Sequence, residues 1–244
     1  MRYFDPKLWQ GSLKDSLKYL SKLGLEVNYG LDGGISLFGM NLSRARKSYA
    51  ERSESALTYC RTLKPATVLD VGSGGGQHAS AFAGNGAAVT CIDYGTSIYA
   101  KTSTLTPNVS VVNADFGTWV PDRFYDLVWA SHVLEHQRNV GSFISKLIAC
   151  CALGGHVCII VPAPHRRLWG GHVTLWTPGL LAYNIVLAGV DLSGATLEYG
   201  YRETWIVFSP KRIDMPALTF DSGDLDLLAP YLPKGFRENS EPWF

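Results

Sequence analysis

The chain is short of several features that would place it outright. Charge of one sign is missing: 22 basic residues face 21 acidic ones, a formal net charge of +1 over 244 residues. That excludes a broad electrostatic surface for nucleic acid, and none is expected as a partner. The five cysteines, Cys60, Cys91, Cys150, Cys151 and Cys158, show no C-x-x-C spacing. Falling in apolar segments, they read as buried free thiols rather than disulfides or a metal site, which suits a reducing cytoplasm. The opening MRYFDPKLWQ carries no apolar signal segment, and the longest weakly charged run, residues 139–164, is broken by Gly154, Gly155, His156 and Pro162. Neither a signal peptide nor a spanning helix is expected. Internal repeats and low-complexity tracts are missing too, and 46% hydrophobic with 18% charged content fits one ordinary globular core with additions.

What the chain does have begins at Val68, with VLDVGSGGG. Residues 67–71 are apolar and partly β-branched, as a buried parallel strand requires. Gly72, Gly74, Gly75 and Gly76 then allow a sharp turn and a close approach to a ligand, and a helix over 77–83 would follow. Asp93 closes the next apolar run, 23 residues after Asp70, the distance at which a carboxylate reaches ribose hydroxyls. The dinucleotide fingerprint G-x-G-x-x-G would need glycine at 77, where Gln77 stands; the pattern is G-x-G-x-G.

Three further segments complete a set. With VLDVGSGGGQHA, the segments CIDYG, NADF (residues 113–116) and YDLVWASHVLEH (residues 125–136) follow in the order and spacing of the class I S-adenosylmethionine-dependent methyltransferases, which the chain resembles over roughly residues 60–165. The resemblance implies S-adenosylmethionine (SAM) as cofactor. It implies that Gly72, Gly74 and Gly76 line the methionine and ribose region, that Asp93 holds the ribose, that Asp115 and Phe116 flank the adenine, that Ser131 and His132 lie near the sulfonium, and that Asp70 and Tyr94 are further cofactor-binding residues. A core role serves Phe116 equally well.

The alternation of apolar runs predicts an α/β fold, a doubly wound, mostly parallel seven-stranded Rossmann-like sheet with ligands at the carboxyl ends of its strands. Strands are expected near 67–71, 88–93, 109–113, 125–130, 156–161, 195–198 and 204–208. A helix with Val140, Phe143, Ile144, Leu147 and Cys151 on one face would stop at Gly154, and another would start at the cap Thr177 with Pro178 in its first turn. Residues 1–63 are expected as an N-terminal helical cap with a loop over 28–40 and a helix over 43–63, residues 64–210 as the SAM-binding core, and residues 211–244 as an irregular tail with a short helix near 224–228. An insertion after the fifth strand, residues 162–177, is the expected acceptor side.

A sulfonium methyl is already electrophilic, so the protein must align a nucleophile and remove its proton. Histidine titrates near neutrality, and His172 or His165, which follow the fifth strand, are the candidate bases. Arg166, Arg167, Trp169, Trp176, Tyr183 and His136 are the candidate acceptor-binding residues, with flat apolar faces and hydrogen-bond donors. His132, Glu135 and His136 spell H-x-x-E-H, the signature of the inverted zinc peptidases. Were the segment helical throughout, both histidines would share a face, but it follows a strand inside a complete methyltransferase order. The oxygen-rich ligand set of a magnesium-assisted reaction is missing after the fourth and fifth strands, so a metal-free reaction is expected. The [D/N/S]-P-P-[Y/F/W] tetrad is missing too, which argues against nucleobase amino groups. Residues 170–195 and 217–233 resemble methyltransferases encoded with bacterial surface-polysaccharide assembly, so a glycan hydroxyl is the expected acceptor. A small-molecule O- or N-methyltransferase, or a non-catalytic SAM-binding module, are the alternatives. Oligomeric state is not legible.

Overall fold

The computed structural model describes residues 27–29, 35–37, 40–41, 53–96, 107–165, 169–200 and 202–234. It divides into two units, Met1–Arg52 and Ser53–Phe244.

The first unit contains three short antiparallel strands, β1 (Val27–Tyr29), β2 (Ile35–Leu37) and β3 (Met40–Asn41), in the order β1-β2-β3. They fall where a loop was expected. The reason is visible in the sequence: Gly30, Gly33, Gly34 and Gly39 sit between the strands and punctuate pairs too short to show alternation. The part of the expected helical cap before residue 27 and the first part of the helix over 43–63 lie outside the described residues.

The second unit carries α1 (Glu54–Thr62), β4 (Thr67–Val71), α2 (Gln77–Ala83), β5 (Ala88–Asp93), β6 (Val109–Asn113), β7 (Tyr125–Ser131), α3 (Val140–Ala149), β8 (Cys151–Pro162), α4 (Pro178–Leu187), β9 (Thr196–Tyr199), β10 (Glu203–Phe208) and α5 (Asp224–Leu228). It begins at Ser53, so α1 belongs with the core and not with residues 1–52. The sheet order is β6-β5-β4-β7-β8-β10-β9, all parallel except β10, which runs against both β8 and β9. This is the seven-stranded, mostly parallel Rossmann-like architecture.

Period-two alternation distributes the strand side chains over two cores. Leu69, Val71, Val128, Ile159 and Ile206 face α3 and α4 through Ile144, Leu147, Leu181 and Ile185. Val68, Leu127, Trp129, Ile160 and Val207 face α1 and α2 through Leu57, Cys60 and Phe82. Asp70 belongs by this alternation to the second face, 2% exposed in an otherwise apolar strand. Thr177 caps α4 by accepting the Leu180 N–H at 3.1 Å, with Pro178 in the first turn and Gly189 (φ +87°) just past the end.

β8 is longer than expected. It starts at Cys151, pairs Tyr125 with Cys151, and after a bulge resumes with Leu127 opposite His156. Gly154, which reads as a helix stop, and its neighbour Gly155 lie within the strand; a Cβ on Gly155 would stand 2.8 Å from the Asp126 carbonyl oxygen. All five cysteines are free thiols. Among the described residues no helix is long and apolar enough to cross a membrane.

Strand order reverses between β4 and β7: the chain proceeds from β4 to β5 and β6, then returns to β7 and β8 on the other side. The crevice at the carboxyl ends of β4 and β7 is the place where such sheets bind ligands. Gly72 leaves β4 there, and His132 leaves β7.

Candidate functional site

The turn after β4 is held open by backbone geometry. Gly72, Gly74 and Gly76 all have positive φ, at +70°, +51° and +75°. At Gly72 a side chain is doubly barred, because a Cβ would also collide with the Val133 side chain that follows β7. Asp93, at the end of β5, accepts the Gly74 N–H on Oδ2 (3.0 Å) and the Gly95 N–H on Oδ1 (2.9 Å). Each oxygen keeps a second lone pair for a ligand hydroxyl.

Beneath this turn Asp70 is fully buried. One carboxyl oxygen, Oδ2, has no hydrogen-bond partner, while the backbone N–H of Ala79 donates to the group. Burial pushes its pKa up to about 7, and the Asp93 charge adds to the rise. An orphaned carboxyl oxygen below a glycine turn, beside a carboxylate with spare acceptor capacity, suits a ligand that carries hydroxyls and positive charge.

On the rim, the Tyr94 hydroxyl donates to Asp115 Oδ1 at 3.0 Å, and the Gly117 N–H donates to the same oxygen at 2.8 Å. Tyr94 is 64% exposed. Phe116 points the other way: it is buried, edge-on to Phe143 at 5.2 Å between centroids, with the Lys146 ammonium 5.3 Å from its ring centre.

A second group of residues gathers where β7 ends. His132 has φ +56°, a strained backbone for a non-glycine residue. Its imidazole lies between two carboxylates, Nδ1 3.4 Å from Glu135 Oε1 and Nε2 3.2 Å from Glu203 Oε2. Burial opposes a charge there, but the two carboxylates prevail and its pKa is pushed up to about 9. Glu203 also accepts the Ser53 N–H on Oε1 at 2.8 Å, and the Ser53 hydroxyl meets Ser131 Oγ at 2.8 Å. Ser53 itself has φ +64°. Ser53 and Glu203 escape a reading of motifs, since they lie 78 residues before Ser131 and 71 after His132; only the folded sheet brings them together.

The acceptor-side candidates divide. His136 donates its Nδ1–H to the Gly171 carbonyl at 2.8 Å, and its ring stands perpendicular to that of His172, 4.9 Å away. His165 lies 5.8 Å from His172 and 4.5 Å from the half-exposed Trp169, which is itself 5.6 Å from His172. Both ring nitrogens of His165 and Nδ1 of His172 are buried without partners among the described residues. Burial lowers the pKa of His172, and Glu135 only partly offsets this. Trp176 does not join them. It is 4% exposed, with its indole N–H donated to Thr174 Oγ1 at 3.0 Å, and so belongs to the core rather than to an acceptor surface. Tyr183 packs against the same core, partly buried. Arg166 and Arg167 lie outside the described residues.

The chain matches the family model described as a methyltransferase domain over residues 42–188. It is 34% identical over 96 residues to the ubiquinone biosynthesis O-methyltransferase of Rickettsia akari (strain Hartford), a match covering 37% of this chain and 38% of that protein. To the protein of the same description from Rickettsia felis it is 32% identical over 101 residues, 39% of this chain and 41% of the relative. The chain thus spans about two fifths of the length of the curated relatives it matches. Among solved structures it is similar to the 1,6-didemethyltoxoflavin-N1-methyltransferase of Burkholderia thailandensis, solved with 1,6-didemethyltoxoflavin and S-adenosylhomocysteine, with TM-score 0.55 and 17% identity over 88% of this chain and 93% of that one. It is also similar to the N-methyltransferase NodS of Bradyrhizobium japonicum WM9 in complex with S-adenosylhomocysteine, with TM-score 0.53 and 17% identity over 68% of this chain and 90% of that one. At those identities the likeness is one of fold.

Proposed function

The chain belongs to the methyltransferase-domain family, and from that premise we propose that it acts as a class I SAM-dependent methyltransferase on a hydroxyl oxygen of a ring-shaped acceptor. The observation that carries the acceptor side is the group His165, Trp169 and His172 after β8, with its unpartnered imidazole nitrogens beside a flat indole face.

When bound, SAM supplies an electrophilic methyl group whose transfer leaves a neutral thioether. In this reading Asp93 accepts the ribose hydroxyls, Gly72, Gly74 and Gly76 let the backbone approach the methionine portion, Asp70 lies beneath it, and Tyr94 with Asp115 borders the adenine, while the buried Phe116 supports that rim from the core. Ser131 and His132 lie toward the sulfonium. His132, an imidazolium fixed between Glu135 and Glu203, has no lone pair to offer and serves to position the edge. Proton removal falls instead to His172 or His165, since a base must offer a lone pair and these rings carry nitrogens without hydrogen-bond partners. Trp169 and His136 complete the acceptor side.

Two acceptor classes follow. A sugar hydroxyl of a glycan is supported by the indole face with polar groups at its edge, the pattern expected from residues 162–177. A phenolic hydroxyl is supported by the 34% identity to a relative described as a ubiquinone biosynthesis O-methyltransferase. The test is release of S-adenosylhomocysteine from SAM in the presence of each class, sugar nucleotides and oligosaccharides against phenols, with amines as the control. Turnover with amines alone removes the hydroxyl reading, and SAM binding without turnover on any class leaves a binding module.

A further inference from the structure

The H-x-x-E-H motif is the one element of the sequence that the methyl-transfer reading leaves partly unused. It does not form the helix that would place His132 and His136 together: residues Leu134–His136 make a single 3-10 turn. His132 is consumed between its two carboxylates. The fold supplies a different third member, His172 from beyond β8. One ligand atom from each of Glu135, His136 and His172 lies within 4.8 Å of the others.

Three details make these side chains unfinished as they stand. Glu135 is 1% exposed, and its Oε2 has no hydrogen-bond partner. Its other oxygen shares His132 with Glu203, so one imidazolium serves two carboxylates. A buried carboxylate oxygen with no donor is costly. His136 spends Nδ1–H on the Gly171 carbonyl. That fixes the tautomer and leaves Nε2 with a lone pair, 4.0 Å from Glu135 Oε1. Two electron-rich atoms facing each other call for a cation between them. His172 brings one ring nitrogen to the same place, and its Nδ1 has no partner. An imidazole whose second nitrogen is tied to a backbone carbonyl is the usual arrangement of a metal ligand.

We propose that Glu135, His136 and His172 bind one divalent transition-metal ion of zinc type and leave a coordination position open toward the acceptor. Two imidazoles and a carboxylate suit zinc, and three protein ligands rather than four mark a site that takes a further oxygen. Tetrahedral ligands about 2.0–2.1 Å from zinc stand roughly 3.3 Å apart, so the present separations close by about an ångström on loading. The half-exposed His136 ring has room to make that move. The site stands on side-chain geometry alone; its chemical role rests on the methyl-transfer reading. In that role an acceptor hydroxyl on the metal becomes more acidic, and because His172 has given its lone pair to the ion, the proton passes to His165. The acceptor oxygen then forms its bond to the methyl carbon while the carbon–sulfur bond breaks and its electron pair returns to sulfur.

The experiment uses untagged full-length protein stripped of metal with a chelator and then titrated with zinc chloride by calorimetry, with cobalt(II) and its visible absorption as a second readout. One ion per chain with a dissociation constant below about 1 μM is expected. His136→Ala and His172→Ala are each expected to weaken binding at least about 100-fold. SAM affinity, measured on the same samples, stays unchanged, so loss of the metal and loss of the cofactor reading are separate results. Since Glu135 is buried, Glu135→Gln is read only alongside its melting curve, while the exposed His136 keeps the test decisive. Sub-stoichiometric zinc, or variants that bind zinc as tightly as the parent, overturn the proposal.

Discussion

After β4 and β5 the chain presents a carboxylate gripped by backbone N–H groups from positions 2 and 19 residues away. After β7 and β8 it presents side chains joined across 71 and 78 residues. The first edge is made of local backbone, with glycine conformations that need no neighbours to explain them. The second is made of imidazoles and carboxylates held by tertiary packing, with strained φ angles at His132 and Ser53 and several nitrogens and oxygens left without partners. Such a division suits an enzyme that must recognise one invariant ligand and one particular ligand: the first can be gripped by main chain, the second must be read by side chains.

The largest effect that tests this division is at His165. His165→Ala is expected to lower turnover by about 10²–10⁴-fold while SAM affinity, measured by calorimetry, stays within about twofold. An equal loss of SAM affinity would merge the two edges into one.

Next is Asp70, the group of the glycine edge that resembles the other edge in having an orphaned oxygen. Its folded pKa, raised from 3.8 to about 7, means that the folded chain keeps a proton that the unfolded chain has released. Its contribution is therefore fully present below about pH 4 and is lost as pH rises toward 7. Measured without SAM, the stability of Asp70→Asn relative to the parent should grow across that window by up to about 4 kcal/mol. A flat difference between the two denaturation series would show that Asp70 is ionised and has a partner in solution.

At Asp93 the loss falls on cofactor binding and on the two backbone N–H groups of Gly74 and Gly95 that the carboxylate accepts. Asp93→Ala removes charge-assisted hydrogen bonds of about 1.5–3 kcal/mol each, so SAM affinity is expected to fall by about 100-fold or more, with the zinc titration unaltered. If SAM binds Asp93→Ala as before, the glycine edge is not where the ribose sits. The smallest effect is at Trp169. Its replacement by alanine is expected to raise the acceptor KM by about 2- to 10-fold and to leave the melting temperature unchanged, because the side chain is 42% exposed.

The same division decides what could be read in advance. Strands β4 to β7, the glycine turn and the cap of α4 are announced by local chemistry: β-branched runs, glycines at fixed offsets, a threonine before a proline. The start of β8 is not, since Gly154 looks like a helix stop until the bulge after Tyr125 and the nearness of Gly155 to Asp126 show a strand there. Of the candidate acceptor residues, His165, Trp169 and His172 stand together after β8 and are of types that a loop after a strand announces. Trp176 was not distinguishable from them, because whether an indole faces solvent or core depends on the helix that follows. Ser53 and Glu203 carry no local signal, and H-x-x-E-H carries a misleading one, because its helical reading requires a helix that the strand before it does not allow.

Glu203 reaches the ligand edge only because β10 is reversed. In the parallel strands the last residue arrives at that edge; in β10 it is the first. The hairpin between β9 and β10 therefore sets the counter-ion of His132 from a strand that contributes nothing to the glycine loop. A change in that hairpin is therefore expected to disturb the edge around His132 while the glycine turn and Asp93 stay as they are, which makes the antiparallel strand a handle for altering that edge by design.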